Sequence, residues 1–167
     1  MMTLKEYIHH AWAGETLDAM KAFIRIPSKS SAFDAEWEKH GFLLEAVKDA
    51  AQWGKKRFPT GTFEILSKPG VTPALFIDLP ATNGHAGRPV FFYGHFDKQP
   101  ETIGWSEGLG PWLPVVKNDR LYGRGSADDG YSFYTALTAI QAGLEKMGFV
   151  ENGRLTELAG DASVLLA

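Results

Sequence analysis

The run Pro89-Val-Phe-Phe-Tyr-Gly94 is almost wholly apolar and ends in His95-Phe96-Asp97. A short, continuous apolar run bounded by Gly and polar residues reads as a strand covered on both faces, and so as a central strand of a layered sheet. Such a strand needs helices on either side of it. It also sets His95 at a C-terminal strand tip, the end at which open α/β sheets bind ligands. Strand residues two apart point to the same side, so His95 and Asp97 can face one cavity.

The flanking sequence supplies the helices. Thr3 to about Trp12 carries Leu4, Ile8 and Ala11 on one face, and Gly14 interrupts it. A second helix is expected from Glu15 to Arg25, with Leu17, Met20 and Ile24 on one side and Pro27 after it. A third is expected from Asp34 to Arg57, with Leu43, Val47 and Ala50 as its buried stripe. The period then changes. Thr62–Leu66 and Ala74–Leu79 alternate as strands, and a polar, Gly-rich connection containing His85 leads to Pro89. Lys98 to Pro114 is a long segment rich in Gly, Pro and Trp, a type that often carries function. Two short strands are expected around Asn118-Asp119. A last helix begins near Gly130, with Phe133, Leu137, Ile140, Leu144 and Met147 at helical spacing. The fold class is therefore α/β: a layered, mostly parallel or mixed sheet with flanking helices.

Composition narrows the function. The 167 residues carry a formal net charge of −3, which gives no field favouring nucleic acid or an anionic membrane. Cysteine is absent, which excludes cysteine-rich zinc sites and suits a reducing compartment. The N-terminus does not read as a signal peptide and no run is long enough to span a bilayer, so a cytoplasmic protein is the expectation. His9, His10 and His40 fall in helices away from the motifs and read as surface residues.

Two motifs carry chemistry. A metal-bound histidine usually gives its other ring N–H to a carboxylate or carbonyl, which fixes the tautomer. His95 as ligand with Asp97 as its orienting partner fits that division, although an isolated His-x-Asp is more often a capped strand end. The second motif is Leu121-Tyr-Gly-Arg-Gly-Ser-Ala-Asp128-Asp129. Its glycines make a tight turn that delivers two carboxylates just before a helix. Helix capping explains adjacent acids there. That is the commoner reason for such a pair taken alone, and a bridge between two metal ions about 3.5–4 Å apart is the sharper reading of one of them.

Taken together, Tyr93-Gly-His95-Phe-Asp97-Lys-Gln-Pro100 and Leu121–Asp129 resemble the zinc-dependent exopeptidase family of carnosinase-type dipeptidases, glutamate carboxypeptidase, aminoacylase and succinyl-diaminopimelate desuccinylase. Phe23-Ile-Arg-Ile-Pro-Ser28 resembles the family's N-terminal helix end, and Gly104-Trp105 with Gly110–Pro114 resembles its inter-motif loop. The resemblance implies that His95 binds one metal ion, that Asp128 bridges two, that Asp97 orients His95, that Asp129 lies behind the ligands, and that the Asp128–Asp129 peptide bond is cis. It implies two zinc ions, with cobalt or manganese as substitutes. The reaction it implies is hydrolysis of an amide near a free terminus, on a dipeptide or an N-acyl amino acid; Gln99-Pro100 suits the dipeptidase branch slightly better.

The chain also departs from that pattern. Asp129 is followed by Gly130-Tyr131 where relatives often have Lys-Gly. The family's Glu pair, which includes the general base, its later acidic and His ligands, and its lid or dimerisation domain are not recognisable. Glu151, Glu157 and Asp161 do not fit the Glu pair. Residues 1–150 therefore read as the N-terminal part of a catalytic domain and 151–167 as an atypical tail, in which Val164–Leu166 either starts the next strand or has no ancestral counterpart. On this reading the chain is a fragment, inactive alone. The alternative is a non-enzymatic module that pairs with a full-length homologue or with itself.

Overall fold

Gly14 bends the N-terminal helical segment instead of ending it. In the computed structural model, which describes residues 2–80, 89–146 and 160–166, α1 (Leu4–Ala11) passes through a wide turn at Trp12–Thr16 into α2 (Leu17–Arg25). Gly14 alone has non-helical angles there, φ −104° and ψ −115°. Thr3 starts α1 with a reciprocal cap: its backbone N–H donates to Glu6 Oε2 at 2.8 Å, and its hydroxyl accepts from the Glu6 N–H at 3.3 Å. Ile26, extended ahead of Pro27, ends α2.

The single helix expected over 34–57 is broken. Gly41, with φ +73°, closes the short α3 (Trp37–His40) by donating to the Trp37 carbonyl and opens α4 (Phe42–Arg57). His40 Nδ1 lies 2.8 Å from Asp34 Oδ2, which fastens the turn before α4. The expected stripe Leu43, Val47 and Ala50 is buried, and Ala46 joins it.

β1 (Thr62–Lys68) and β2 (Val71–Leu79) form an antiparallel pair. β3 (Pro89–Gly94) leads into the site. β4 (Val115–Lys117) and β5 (Arg120–Tyr122) form a hairpin whose turn is Asn118-Asp119, both with positive φ, as a type I′ hairpin turn requires. α5 (Tyr131–Lys146) follows the second motif, and β6 (Gly160–Leu166) closes the described chain. The main sheet has the order β1-β2-β6-β3; β6 runs antiparallel to β2 and parallel to β3, so the sheet is mixed. Val164–Leu166 lie in β6, and that strand starts at Gly160. His85, Met147, Glu151 and Glu157 lie outside the described residues.

A second expectation fails among the described residues. β3 is not central: it is the last strand of the sheet, with Phe91 62% and Tyr93 64% exposed. Only its other face is covered, where Phe92 packs on the core. Alternating exposure of this kind belongs to a strand packed on one side, and an apolar run cannot by itself say whether both faces have a cover.

The core lies between the inner face of β2 (Leu75, Ile77, Leu79) and helices α2, α4 and α5. At its centre is a group of aromatic rings. Phe96 meets Phe133 at 5.4 Å and Phe23 at 5.8 Å between centroids, and Trp53 meets Tyr134 at 5.0 Å, all within the range of favourable edge contacts. Phe96 is the middle residue of His95-Phe96-Asp97. Its burial anchors the tripeptide, so that its two neighbours point away from the core.

Candidate metal centre

His95 follows β3 directly and is held on both sides of its backbone by the segment before α5. Its N–H donates to Asp129 Oδ2 at 3.2 Å, and its carbonyl accepts from the Gly130 N–H at 3.0 Å. Asp129 also accepts from the Ser132 hydroxyl at 2.9 Å. Asp129 thus points back into the protein and joins the two motifs, leaving Asp128 to face outward, 69% exposed in its side chain. The peptide bond between them is cis, as the resemblance implies.

The imidazole is oriented by chemistry that leaves one choice of tautomer. Nδ1 lies 3.0 Å from Asp97 Oδ1 and 3.1 Å from the Asp97 carbonyl oxygen. A carbonyl oxygen only accepts, so Nδ1 carries a proton. In the neutral ring Nε2 then presents a lone pair, and 3.5 Å from it stands Asp128 Oδ1, another lone-pair donor. Two such atoms face each other favourably only across a cation or a proton. Two ligands of one tetrahedral zinc, with bonds near 2.0–2.1 Å, stand about 3.3 Å apart, so the pair fits one divalent ion. An imidazolium proton would also answer the arrangement.

The sequence motifs therefore bring four residues together, with distinct placements. His95 Nε2 and Asp128 converge. Asp97 sits at the opposite ring nitrogen and Asp129 is turned inward, so neither can share an ion with that pair. Among the described residues no group of three or more His, Cys, Asp or Glu side chains converges as a metal cage. A cavity of about 180 Å³ opens beside Asp97, walled by Leu43, Val47, Pro73 and Phe96 with Ser31 and Thr72 at its polar edge.

Lys98 is a residue that reading the sequence missed. It is 1% exposed, and its Nζ donates to the carbonyls of Phe23 and Ile26, each at 2.6 Å, at the end of α2. Burial pushes its pKa down to about 7. A lysine in a polar loop gives no sign of this, because the groups that bury it lie far back in the chain. Ser28 was also missed: its buried hydroxyl donates to the Phe96 carbonyl at 2.8 Å, pinning the loop after α2 to the first motif.

Residues 91–158 match the model of Peptidase family M20/M25/M40. No match is found among curated protein sequences. Among solved structures, human carnosine dipeptidase 1 is similar with TM-score 0.67 and 20% identity, over 98% of this chain and 34% of that one. The di-peptidase Dug1p from Saccharomyces cerevisiae gives TM-score 0.67 and 16% identity, over 99% of this chain and 35% of that one. The M20 family metallo-carboxypeptidase Sso-CP2 from Sulfolobus solfataricus gives 0.63 and 18%, over 91% and 30%. The chain thus spans about a third of the length of these proteins. Over that third it has the fold of the M20 metallopeptidases, and its two motifs lie in or beside the stretch that matches the M20/M25/M40 family model.

Proposed function

We propose that this chain carries the first part of a metallopeptidase centre, in which His95 Nε2 and Asp128 hold a divalent ion, zinc by preference, with cobalt or manganese as substitutes. The observation that carries this reading is the 3.5 Å approach of two lone-pair donors, with the far side of the ring already fixed by Asp97. When bound, such an ion polarises a carbonyl and lowers the pKa of a bound water. The protein's own contribution is orientation. Asp97 holds the proton on Nδ1, Asp129 and Gly130 hold the His95 backbone, and the turn before α5 presents Asp128.

The substrate class this supports is a dipeptide or an N-acyl amino acid, hydrolysed at its amide bond. Asp128 would bridge to a second ion. Zinc prefers about four ligands, and a general base contributes roughly 10²–10⁴-fold. His95, Asp97, Asp128 and Asp129 supply neither the full ligand set nor the base. We therefore expect these 167 residues to bind metal weakly and to leave dipeptides intact. Among the described residues no helix is long and apolar enough to cross a membrane. A reducing compartment such as the cytoplasm suits a chain without cysteine.

Zinc titration by calorimetry, alongside a dipeptide-hydrolysis assay, tests the reading. One saturable zinc site that His95→Ala abolishes, with no turnover, is the expected result. Zinc binding unchanged by His95→Ala overturns the metal assignment, and zinc-dependent turnover lost in His95→Ala overturns the inactivity. A second reading, a non-enzymatic module pairing with a full-length homologue or a second copy, draws on exposed Phe91 and Tyr93 at the sheet edge. A monodisperse monomer that does not co-purify with such a homologue counts against it.

A further inference from the structure

The metal reading gives Lys98 no role, although the end of α2, the backbone after His95 and the turn before Asp128 all meet at this buried side chain. Its Nζ lies 3.8 Å from the centroid of the Phe23 ring while it donates to the Phe23 and Ile26 carbonyls. The same ring is the floor of the turn that delivers Asp128. A Cβ built on Gly125 would stand 2.6 Å from Phe23 Cε1 and 2.9 Å from Lys98 Cε; one built on Gly130 would collide with the same ring. Both glycines have positive φ, +83° and +68°. They bracket Ser126–Asp129, so both ends of the segment bearing Asp128 rest on the ring that Lys98 holds.

The other half of the site is tied to the same residue through its backbone. The Lys98 N–H donates to the Ser28 carbonyl at 2.8 Å, and its carbonyl accepts from the Ser30 N–H at 2.9 Å. This short parallel pairing fixes the chain just past His95 and Asp97. Gly130 N–H on the His95 carbonyl then closes the circuit between the two motifs.

We infer that Lys98 is the positioning residue of this site: by fastening the C-terminal carbonyls of α2 and the Phe23 ring beneath Gly125 and Gly130, it sets the spacing between His95 and Asp128. A lysine that only stabilised the helix end would affect folding without moving Asp128 relative to His95.

The test replaces Lys98 with Met, which keeps the length and removes the donor. The chain contains no cysteine. A Lys98→Cys variant, alkylated while unfolded with bromoethylamine and then refolded, therefore regains a lysine-like amine at this position only. In amide NMR spectra of Lys98→Met, the signals of His95, Gly125 and Asp128–Gly130 are expected to move, while those of β1 and β2 stay in place. The alkylated variant is expected to restore them. With zinc as probe, the dissociation constant is expected to rise about tenfold in Lys98→Met, the scale seen when groups behind a metal ligand are lost, and to recover on alkylation. If Lys98→Met does not fold, Phe23→Leu keeps the carbonyl acceptors, removes the ring floor and is expected to move the same signals.

The inference is overturned if stability falls while the His95 and Asp128–Gly130 signals stay where they are, or if the restored amine does not return them. The zinc arm rests on the metal reading above, and the amide arm does not. A wild-type chain that binds no zinc defeats that reading and leaves the signals to decide on Lys98.

Discussion

Replacing Gly125 with Ala separates two costs that the turn before Asp128 combines. The residue has φ +83°, a conformation that costs an L-residue about 1–2 kcal/mol, offset by about 0.4–1 kcal/mol because alanine has less freedom to lose on folding. Its Cβ would also lie 2.6 Å from the Phe23 ring and 2.9 Å from Lys98 Cε, both buried groups that cannot swing away. Overpacking of that kind adds about 1–3 kcal/mol. Gly125→Ala is therefore expected to cost about 2–4 kcal/mol, lowering the melting temperature by roughly 5–15 °C in a chain of this size. Gly70 is the control, since its φ is +72° and nothing lies within 4 Å of the new Cβ. Gly70→Ala should show the backbone cost alone, about 1 kcal/mol. Urea denaturation followed by tryptophan fluorescence measures both. The double variant Gly125→Ala with Phe23→Leu should recover at least about 1 kcal/mol of the excess, because neighbours that clash are coupled. Equal costs for the two glycines, or additivity in the double variant, would refute the claim that the turn is seated on Phe23.

Other predictions concern the groups that hold the core and the site in register. Lys98 titrates near 7 when folded and near 10.5 when unfolded, so between those values the unfolded chain binds more protons and stability rises with pH, by at most about 1.4 kcal/mol per unit. Its surroundings are Phe23, Ile26, Trp112 and Gly125, and no carboxylate among the described residues pairs with it. Urea midpoints at pH 7, 8 and 9 should therefore rise more in wild type than in Lys98→Met, and parallel slopes would contradict the shift. Ser28→Ala leaves the buried Phe96 carbonyl without its 2.8 Å donor and should cost about 1–3 kcal/mol in the same assay. Tyr134 is buried with no partner for its hydroxyl among the described residues, so Tyr134→Phe should leave stability unchanged or raise it by about 1 kcal/mol. A loss of 2 kcal/mol or more, on the scale of a buried group deprived of its partner, would show that the hydroxyl has one.

Local patterns carried much of the architecture. The apolar run ending at His95 placed the imidazole at a strand tip. The glycine-rich turn placed Asp128 within reach of its Nε2, and Asn118-Asp119 marked the β4–β5 hairpin. What the sequence hid depends on packing between distant segments. Gly41 follows Lys39 and His40, and basic residues before a glycine are a helix-ending signal that could have divided 34–57. The exposure of Phe91 and Tyr93 depends on what covers β3, and no periodicity within the strand records that. Lys98 is the deepest case. Its acceptors and its ring contact belong to α2, and a polar residue between Asp97 and Gln99 gives no hint that Phe23 and Ile26 have closed over it.

The measurement closest to the central claim is a zinc titration observed through the ring nitrogens of His95, in wild type and in Asp128→Asn. If His95 and Asp128 hold one ion, Nε2 shifts saturably while Nδ1 keeps its proton. Asp128→Asn should then weaken binding by at least about tenfold, while His9, His10 and His40 stay unchanged. An Nε2 that ignores zinc, or that responds equally with and without the Asp128 carboxylate, would mean that the 3.5 Å approach is an ion pair of the folded chain and not half of a metal site.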